Sequence, residues 1–350
     1  MRNSRPPRPQ RTGSALFVVA TTALLAVASG CSKSSPSIVD DHGVESQRVA
    51  GVWWFMFILA IVVYVVVASL IITGVLRRPR HTDELVEPDP MTPVTRRDPA
   101  DARWIWIGGI IVPVIILTTL AVLTIRVVQT TRRPSPDEVT IVVNGQRWWW
   151  DVRYPDGDVR TANEIHIPVG RTVNIELHSD NVVHSFWVPQ IAGKLDVMPG
   201  QTNRLRIKAT ETGRYRGQCA EYCGIGHARM AFMIVAESET DFERWLVRRD
   251  RDASGPTSED TAEGQRVFMS ETCSGCHTVR GTTATAEIGP DLSDFGSRDW
   301  IGSVTVRNTP ENLKKWIRDS HLIKPGSLMP PITISDNELA ALVAYLEALK

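Results

Sequence analysis

The apolar residues of this chain are segregated. Three long apolar runs lie before residue 130, and beyond it hydrophobic positions alternate or recur at helical spacing. The run Ala15–Gly30 follows Arg2, Arg5, Arg8 and Arg11, is short, and ends in small residues before Cys31. A basic start, a brief apolar stretch and a small-residue end predict an export signal over 1–30 rather than a span. The runs Val52–Leu76 and Trp104–Ile125 contain no charge. Each holds about the 20 apolar residues that cross a bilayer as a helix. Trp53 and Trp54 open the first of these and Trp104 and Trp106 the second, as interfacial anchors do. Being uncharged all round, they predict a transmembrane hairpin over 49–128 rather than two helices of a soluble core. Pro113 falls inside the last run, where neighbouring helices tolerate it.

From residue 138 the period changes. Val139–Val143 is a β-branched run ending at Asn144-Gly145, a turn signal. Thr172–His178 alternates, with Val173, Ile175 and Leu177 on one face. Leu205 and Ile207 alternate with arginines after the Pro199-Gly200 turn, and Met230–Ala236 is another apolar strand. Short strands between Gly and Pro turns predict a sandwich or barrel over 138–248. Residues 249–262 are charged and rich in Ser, Thr, Gly and Pro, which predicts a flexible linker. The rest, 263–350, reads as helical. Glu263–Ser270 forms one helix, and Pro310–Asp319 another, opened by Thr309 as cap with proline at the first position. Ser335–Leu349 begins with the capping-box sequence S-D-N-E and carries Leu339, Leu342, Val343 and Leu346 at helical spacing.

Charge orients these pieces. Arg77, Arg78, Arg80, Arg96, Arg97 and Arg103 crowd the segment between the spans, which places it in the cytoplasm. The segments 138–248 and 263–350 then lie on the extracytoplasmic side of the cell membrane, an oxidising compartment. Over the whole chain 39 basic and 39 acidic residues cancel, so nucleic acid is not suggested as a partner.

The chemistry concentrates at five cysteines, Cys31, Cys219, Cys223, Cys273 and Cys276. Ala28-Ser29-Gly30-Cys31 resembles a bacterial lipobox, in which the cysteine becomes lipidated; the alternative is an ordinary signal with Cys31 incidental. C-A-E-Y-C-G-I-G-H-A-R-M (219–230) gathers two thiolates, the imidazole of His227 and the thioether of Met230. Such soft ligands suit copper or another thiophilic metal better than magnesium or calcium. Two cysteines suffice to bridge two ions, and His184 in V-V-H-S-F-W-V-P is placed to add a second imidazole from a strand end. A plain Cys219–Cys223 disulfide would leave both histidines and the methionine unused. C-S-G-C-H (273–277) is the attachment signature of c-type haem, with Cys273 and Cys276 as thioether donors and His277 as axial ligand. A zinc site would need a further ligand pair, and no cysteine follows. Met329 in K-P-G-S-L-M-P-P fits as sixth ligand, with prolines holding its loop extended. Met269 is its rival.

Residues 138–248 resemble the cupredoxin domain of subunit II of the haem–copper cytochrome c oxidases. G-P-D-L (289–292) and N-T-P-E-N-L-K-K-W-I-R-D (308–319) resemble the cytochrome c domains fused to some bacterial members. The resemblance implies a multidomain chain: a two-helix transmembrane hairpin, a cupredoxin-like β-sandwich or barrel, and an all-α class I-like cytochrome c domain. In the latter, Phe268 and Tyr345 would meet where the terminal helices cross. It also implies a binuclear CuA centre held by Cys219, Cys223, His184, His227, Met230 and the carbonyl of Glu221. The Glu221 carboxylate would take a magnesium or manganese ion at the interface with subunit I. Trp148, in G-Q-R-W-W-W-D-V-R-Y (145–154), matches the family's electron-accepting tryptophan, with Trp149 and Trp150 read as packing. Lys194, Asp196 and Met198-Pro199-Gly200 match as subunit contacts and loop shaping.

Implied partners are the catalytic subunit I, subunit III, membrane lipid, and a quinol–cytochrome c reductase or small cytochrome c as donor. The implied role is an electron relay for oxygen reduction with proton pumping. A copper-containing nitric oxide reductase subunit would share the copper domain. A tethered carrier or copper-delivery protein would have no enzyme partner. His42, His81, His166, His178 and His321 read as surface or structural, and Met233 as core.

Overall fold

The computed structural model describes residues 37–77, 99–131, 133–157, 159–270 and 273–350. The expected export signal, Cys31, His81 and the arginines at 78, 80, 96 and 97 lie outside the described residues.

Helix α1, Val44–Arg77, covers the first predicted span. The second is α2, Pro99–Trp106, a π-helical turn at Ile107–Ile111, and α3, Val112–Thr131. Both segments are long and apolar enough to cross a membrane. Their apolar side chains face outward, with Tyr64 73% and Leu117 64% exposed, as suits a hydrocarbon solvent. The π turn has a local cause. Pro113 lacks an N–H and its ring would meet the carbonyl of Gly109, so the turn widens and Val112 N–H donates to the carbonyl of Ile107.

The foot of α1 is fastened to the β domain. His42 N–H donates to the Gln190 carbonyl (2.7 Å) and Val44 N–H to that of Lys208 (2.9 Å). Gly43 lies so close to the Ile191 backbone that a Cβ would collide with it.

Ten strands follow: β1 Val139–Gln146, β2 Trp149–Tyr154, β3 Val159–Ala162, β4 Glu164–Pro168 and β5 Val173–Ser179, then β6 His184–Trp187, β7 Leu195–Val197, β8 Asn203–Ile207, β9 Gly213–Cys219 and β10 Ala231–Glu237. They form two five-stranded sheets, β3-β2-β1-β5-β8 and β4-β10-β9-β6-β7. The pairs β1–β5 and β4–β10 are parallel. Period-two burial puts Ile141, Val143, Ile175 and Leu177 from one sheet against Ile165, Ile167, Phe232 and Ile234 from the other. Trp150 fills the middle, edge-on to Phe186 (5.6 Å) and Phe232 (5.3 Å). Its packing role is as expected. His166 is buried between Glu164 (3.2 Å) and Glu237 (3.0 Å) and stacks on Trp245.

One turn differs. Asn144-Gly145 does not end β1, which runs on through Gln146, and Gly145 pairs with Trp150. The glycine serves close approach instead: a Cβ there would stand 2.8 Å from the His184 ring.

After β10, helix α4, Glu239–Arg249, is capped by Ser238 and buries Phe242 and Trp245. The segment expected as linker is helical from Glu259, since α5 spans Glu259–Ser270. Ala253 N–H also donates to the Arg280 carbonyl (3.2 Å). Helix α6, Pro310–Arg318, starts behind Thr309 as its cap. Helix α7, Asp336–Ala348, has the predicted capping box between Ser335 and Glu338. Helices α5 and α7 cross at Gly264, where a Cβ would collide with the backbone of Ala341, and Phe268 meets Tyr345 at 5.8 Å. Ser335→Ala should cost the C-terminal domain about 1 kcal/mol, read as a lower denaturant midpoint at unchanged slope.

Candidate functional site

The register of β6 against β9 pairs Phe186 with Cys219, which sets His184 beside the end of β9. The loop from Cys219 to Met230 closes on itself, because Cys219 N–H donates to the Met230 carbonyl (2.9 Å). Inside it, Cys219 Sγ lies 3.9 Å from Cys223 Sγ, 3.9 Å from His184 Nδ1 and 3.2 Å from the Glu221 carbonyl oxygen. Cys223 Sγ lies 3.8 Å from His227 Nδ1 and 3.8 Å from Met230 Sδ. A disulfide would hold the sulfurs at about 2.05 Å. Two donors on one tetrahedral metal, with bonds of about 2.0–2.3 Å, stand about 3.5–3.8 Å apart. The observed spacings match shared ligation. His184, Cys219, Cys223 and Met230 are all at most 5% exposed.

The thiols are poised unequally. The hydrogen bond with Cys223 holds Cys219 far below the usual thiol range, at about 3, with help from His184. The same shared proton, together with burial, pushes Cys223 up. A cation that binds both sulfurs displaces the proton they share. His184 Nε2 lies 3.3 Å from Asn181 Oδ1, so with Nε2–H donating there Nδ1 is left as the metal donor. Asn181 in turn donates from Nδ2 to Gln146 Oε1 (3.0 Å). Sequence reasoning missed Asn181; its only signal was a place three residues before the histidine. The Glu221 side chain is exposed, with Oε1 accepting from Tyr222 N–H (3.1 Å).

A second site opens in the C-terminal domain. Cys273, Cys276, His277 and Met329 line one cavity of about 260 Å³, with Phe268 and Leu342 among its walls. His277 Nδ1 lies 2.7 Å from the Pro290 carbonyl, which fixes Nδ1 as the protonated nitrogen and frees Nε2. Burial pushes the imidazole below its ordinary range, keeping it neutral. Gly289 backs the ring closely: a Cβ there would stand 2.5 Å away. The G-P-D-L motif thus works as a seat for His277. The Met329 loop is pinned by Ser320 Oγ–H donating to the Met329 carbonyl (2.9 Å). Met269 does not line the cavity and packs against the helical core. Arg298 lines the cavity too, and its Nε is buried with no hydrogen-bond partner among the described residues.

Trp148 joins the two sites. Its Nε1–H donates to the Cys223 carbonyl (2.9 Å). Its ring packs over Gly226, where a Cβ would stand 2.5 Å away. Its own carbonyl accepts from Ser303 Oγ–H (3.0 Å) and from Lys324 Nζ, both in the C-terminal domain. Trp148 also lines the cavity with Arg147 and Trp149, so Trp149 does more than the packing expected of it. Burial pushes Lys324 down to about 7. Around this contact Arg153 and Arg160 meet Glu287 (2.8 and 3.2 Å), Arg249 meets Asp294 (2.9 Å), and Arg214 meets Asp299 (2.8 Å).

Residues 158–238 match the family model for the periplasmic domain of cytochrome c oxidase subunit II, and residues 261–350 that for cytochrome c. Cytochrome c oxidase subunit 2 of Alkalihalophilus pseudofirmus is 38% identical over 247 residues, 69% of this chain and 71% of the relative. That of Bacillus sp. strain PS3 is 33% identical over 261 residues, 69% of this chain and 72% of the relative. A solved periplasmic domain of subunit II from Bradyrhizobium japonicum is 30% identical, with a TM-score of 0.32, covering 33% of this chain and 95% of that one. The chain belongs to the cytochrome c oxidase subunit II family, in a form that carries a C-terminal cytochrome c domain.

Proposed function

We propose that this chain relays electrons from a covalently bound c-type haem to a binuclear copper centre and on to the catalytic subunit, where oxygen is reduced to water and protons are pumped. As a subunit II it is part of an oxidoreductase complex and partners subunit I. Cys273 and Cys276 would anchor the haem, with His277 and Met329 as axial ligands. Cys219 and Cys223 would bridge the coppers, with His184, His227, Met230 and the Glu221 carbonyl completing the set. Glu221, its carboxylate exposed, would hold magnesium or manganese at the subunit I interface.

The residues fit these groups. The donor spacings in the copper loop suit shared ligation. The hydrogen bond from His277 to Pro290 would leave Nε2 for iron, and the Nε of Arg298, without a partner among the described residues, would be free to donate to an acidic group of the haem. Bound there, the two groups would supply the one-electron redox chemistry that these side chains lack. The chain's own work is placement. Asn181 and Pro290 fix which nitrogens are free, and burial of His184, Cys219, Cys223 and Met230 keeps water from those donors. Trp148 spans the gap, bonded to the copper loop at its ring and to the haem domain at its carbonyl.

That double attachment of Trp148 carries the proposal. The domains on either side of it, 138–248 and 263–350, would face the extracytoplasmic side, with 249–262 connecting them and 49–128 as the anchor. The donor would be a quinol–cytochrome c reductase or a small cytochrome c, and subunit III and lipid would complete the surroundings. Purification in mild detergent is expected to yield a haem–copper catalytic subunit together with this chain, which should contribute two coppers and one covalent haem. One copper per chain, or release without a catalytic subunit, would overturn the relay.

A further inference from the structure

We propose that Lys324 and the 302–304 loop form a clamp that seats the haem domain on Trp148 as a fixed cap, so that outside donors deliver electrons to the haem domain and not to Trp148. The inference rests on Trp148 being the way into the copper centre.

Lys324 is 4% exposed. Enclosing an ammonium is costly unless oxygen atoms surround it. Its partners are Ser303 Oγ (2.8 Å) and Gly302 O (3.4 Å) in its own domain and the Trp148 carbonyl in the other. Once docking has enclosed the lysine, the Trp148 carbonyl takes the place of water as an acceptor for its N–H groups. Burial depresses its basicity, as expected for an ammonium placed there by docking.

The loop it grips is unusual. Gly302, Ser303 and Val304 have φ of 64°, 61° and 61°, a left-handed run that a β-branched valine rarely adopts. Such a conformation persists where the surroundings impose it. Here it delivers Ser303 Oγ to the Trp148 carbonyl. Gly326 closes over the ring, where a Cβ would stand 3.2 Å from the indole.

Ion pairs that cross between the domains take their arginines (Arg153, Arg160, Arg214 and, at the end of α4, Arg249) from the copper side and their carboxylates (Glu287, Asp294 and Asp299) from the haem side. Asp151 and Glu164 share those arginines within the copper domain, and Arg298 shares Asp294 within the haem domain. These cross-domain pairs add charge complementarity to the seat that the clamp makes on Trp148.

The test compares Lys324→Met and Ser303→Ala in the full chain within the complex. Hydrogen–deuterium exchange at 146–150 and 300–306 reads the seating directly, with or without metal. Haem-to-copper transfer after photoreduction reads its consequence. Loss of a charge-assisted hydrogen bond should raise exchange in both segments about tenfold or more and slow transfer by a similar factor. Both optical spectra should stay unchanged. In the variants, an added soluble cytochrome c should begin to reduce the copper centre in chains whose haem is held oxidised by cyanide ligation. Should Lys324→Met fail to retain haem, Ser303→Ala carries the same readings, because it leaves the lysine in place. Unchanged exchange in a folded variant would overturn the clamp. Reduction of the wild-type copper centre by the soluble donor, with the haem blocked, would overturn the exclusion. Absence of copper or haem would instead strike at the relay itself.

Discussion

Cys219→Ser in the assembled complex is expected to abolish the near-infrared absorption of the copper pair while leaving the haem spectrum intact. The size of the effect follows from how much converges on one sulfur. Cys219 Sγ is within 3.9 Å of Cys223, His184 and the Glu221 carbonyl, and its backbone closes the loop onto Met230. The hydrogen bond with Cys223 also holds its thiol below the usual range. A serine hydroxyl stays protonated at neutral pH and is a harder donor, so it is a poor bridge between soft ions. Even loss of an orienting neighbour typically costs 10–100-fold in metal affinity, and loss of a bridging ligand should exceed that range. Copper content should fall from two per chain to one or none by elemental analysis, with the C-terminal cavity untouched. Two coppers and a normal spectrum would remove Cys219 from the ligand set.

Much of this arrangement was legible because the chemistry is local. Cys219 through Met230 and Cys273 through His277 lie within single loops, so spacing alone gathers most donors. The spans were legible because an uncharged run has few other uses. The capping box at Ser335 and the cap at Thr309 were legible because each is a contact within one turn. What escaped was everything set by two distant segments meeting. Gly145 read as a turn residue because nothing in its neighbourhood announces His184, whose ring forbids a Cβ there. Lys324 looked like an ordinary surface lysine beside a methionine loop, yet a carbonyl 176 positions away helps to bury it. Equal totals of acid and base likewise gave no sign of the ion pairs that cross between the domains, arginine on the copper side and carboxylate on the haem side, because their charges cancel in the sum. Composition cannot report a complementarity that is internal to the chain.

Met329→His should lower the potential of the haem by an amount on the order of 0.2 V, within the range of about 0.8 V that axial ligands span. A thioether favours the reduced iron relative to a second imidazole. The exchange is feasible in place, since the loop is held by its backbone, through Ser320 Oγ to the Met329 carbonyl and Ser327 Oγ to the Met329 N–H, and not by the thioether. The consequence reaches past the cavity. For a one-electron couple about 59 mV is a factor of ten. A fall of about 0.2 V would therefore disfavour electron transfer from the donor to the haem by about a thousandfold, and donor oxidation should slow although copper binding is unchanged. Redox titration reads the potential, and loss of the weak sulfur-to-iron band reads the ligand. If neither changes, the sixth ligand is not Met329. Met269 would not replace it without rearrangement, because it packs against the helical core and does not line the cavity. A null result would therefore point to a haem whose sixth position is filled from elsewhere, and its readiness to accept an electron from an outside donor would have to be explained without a thioether.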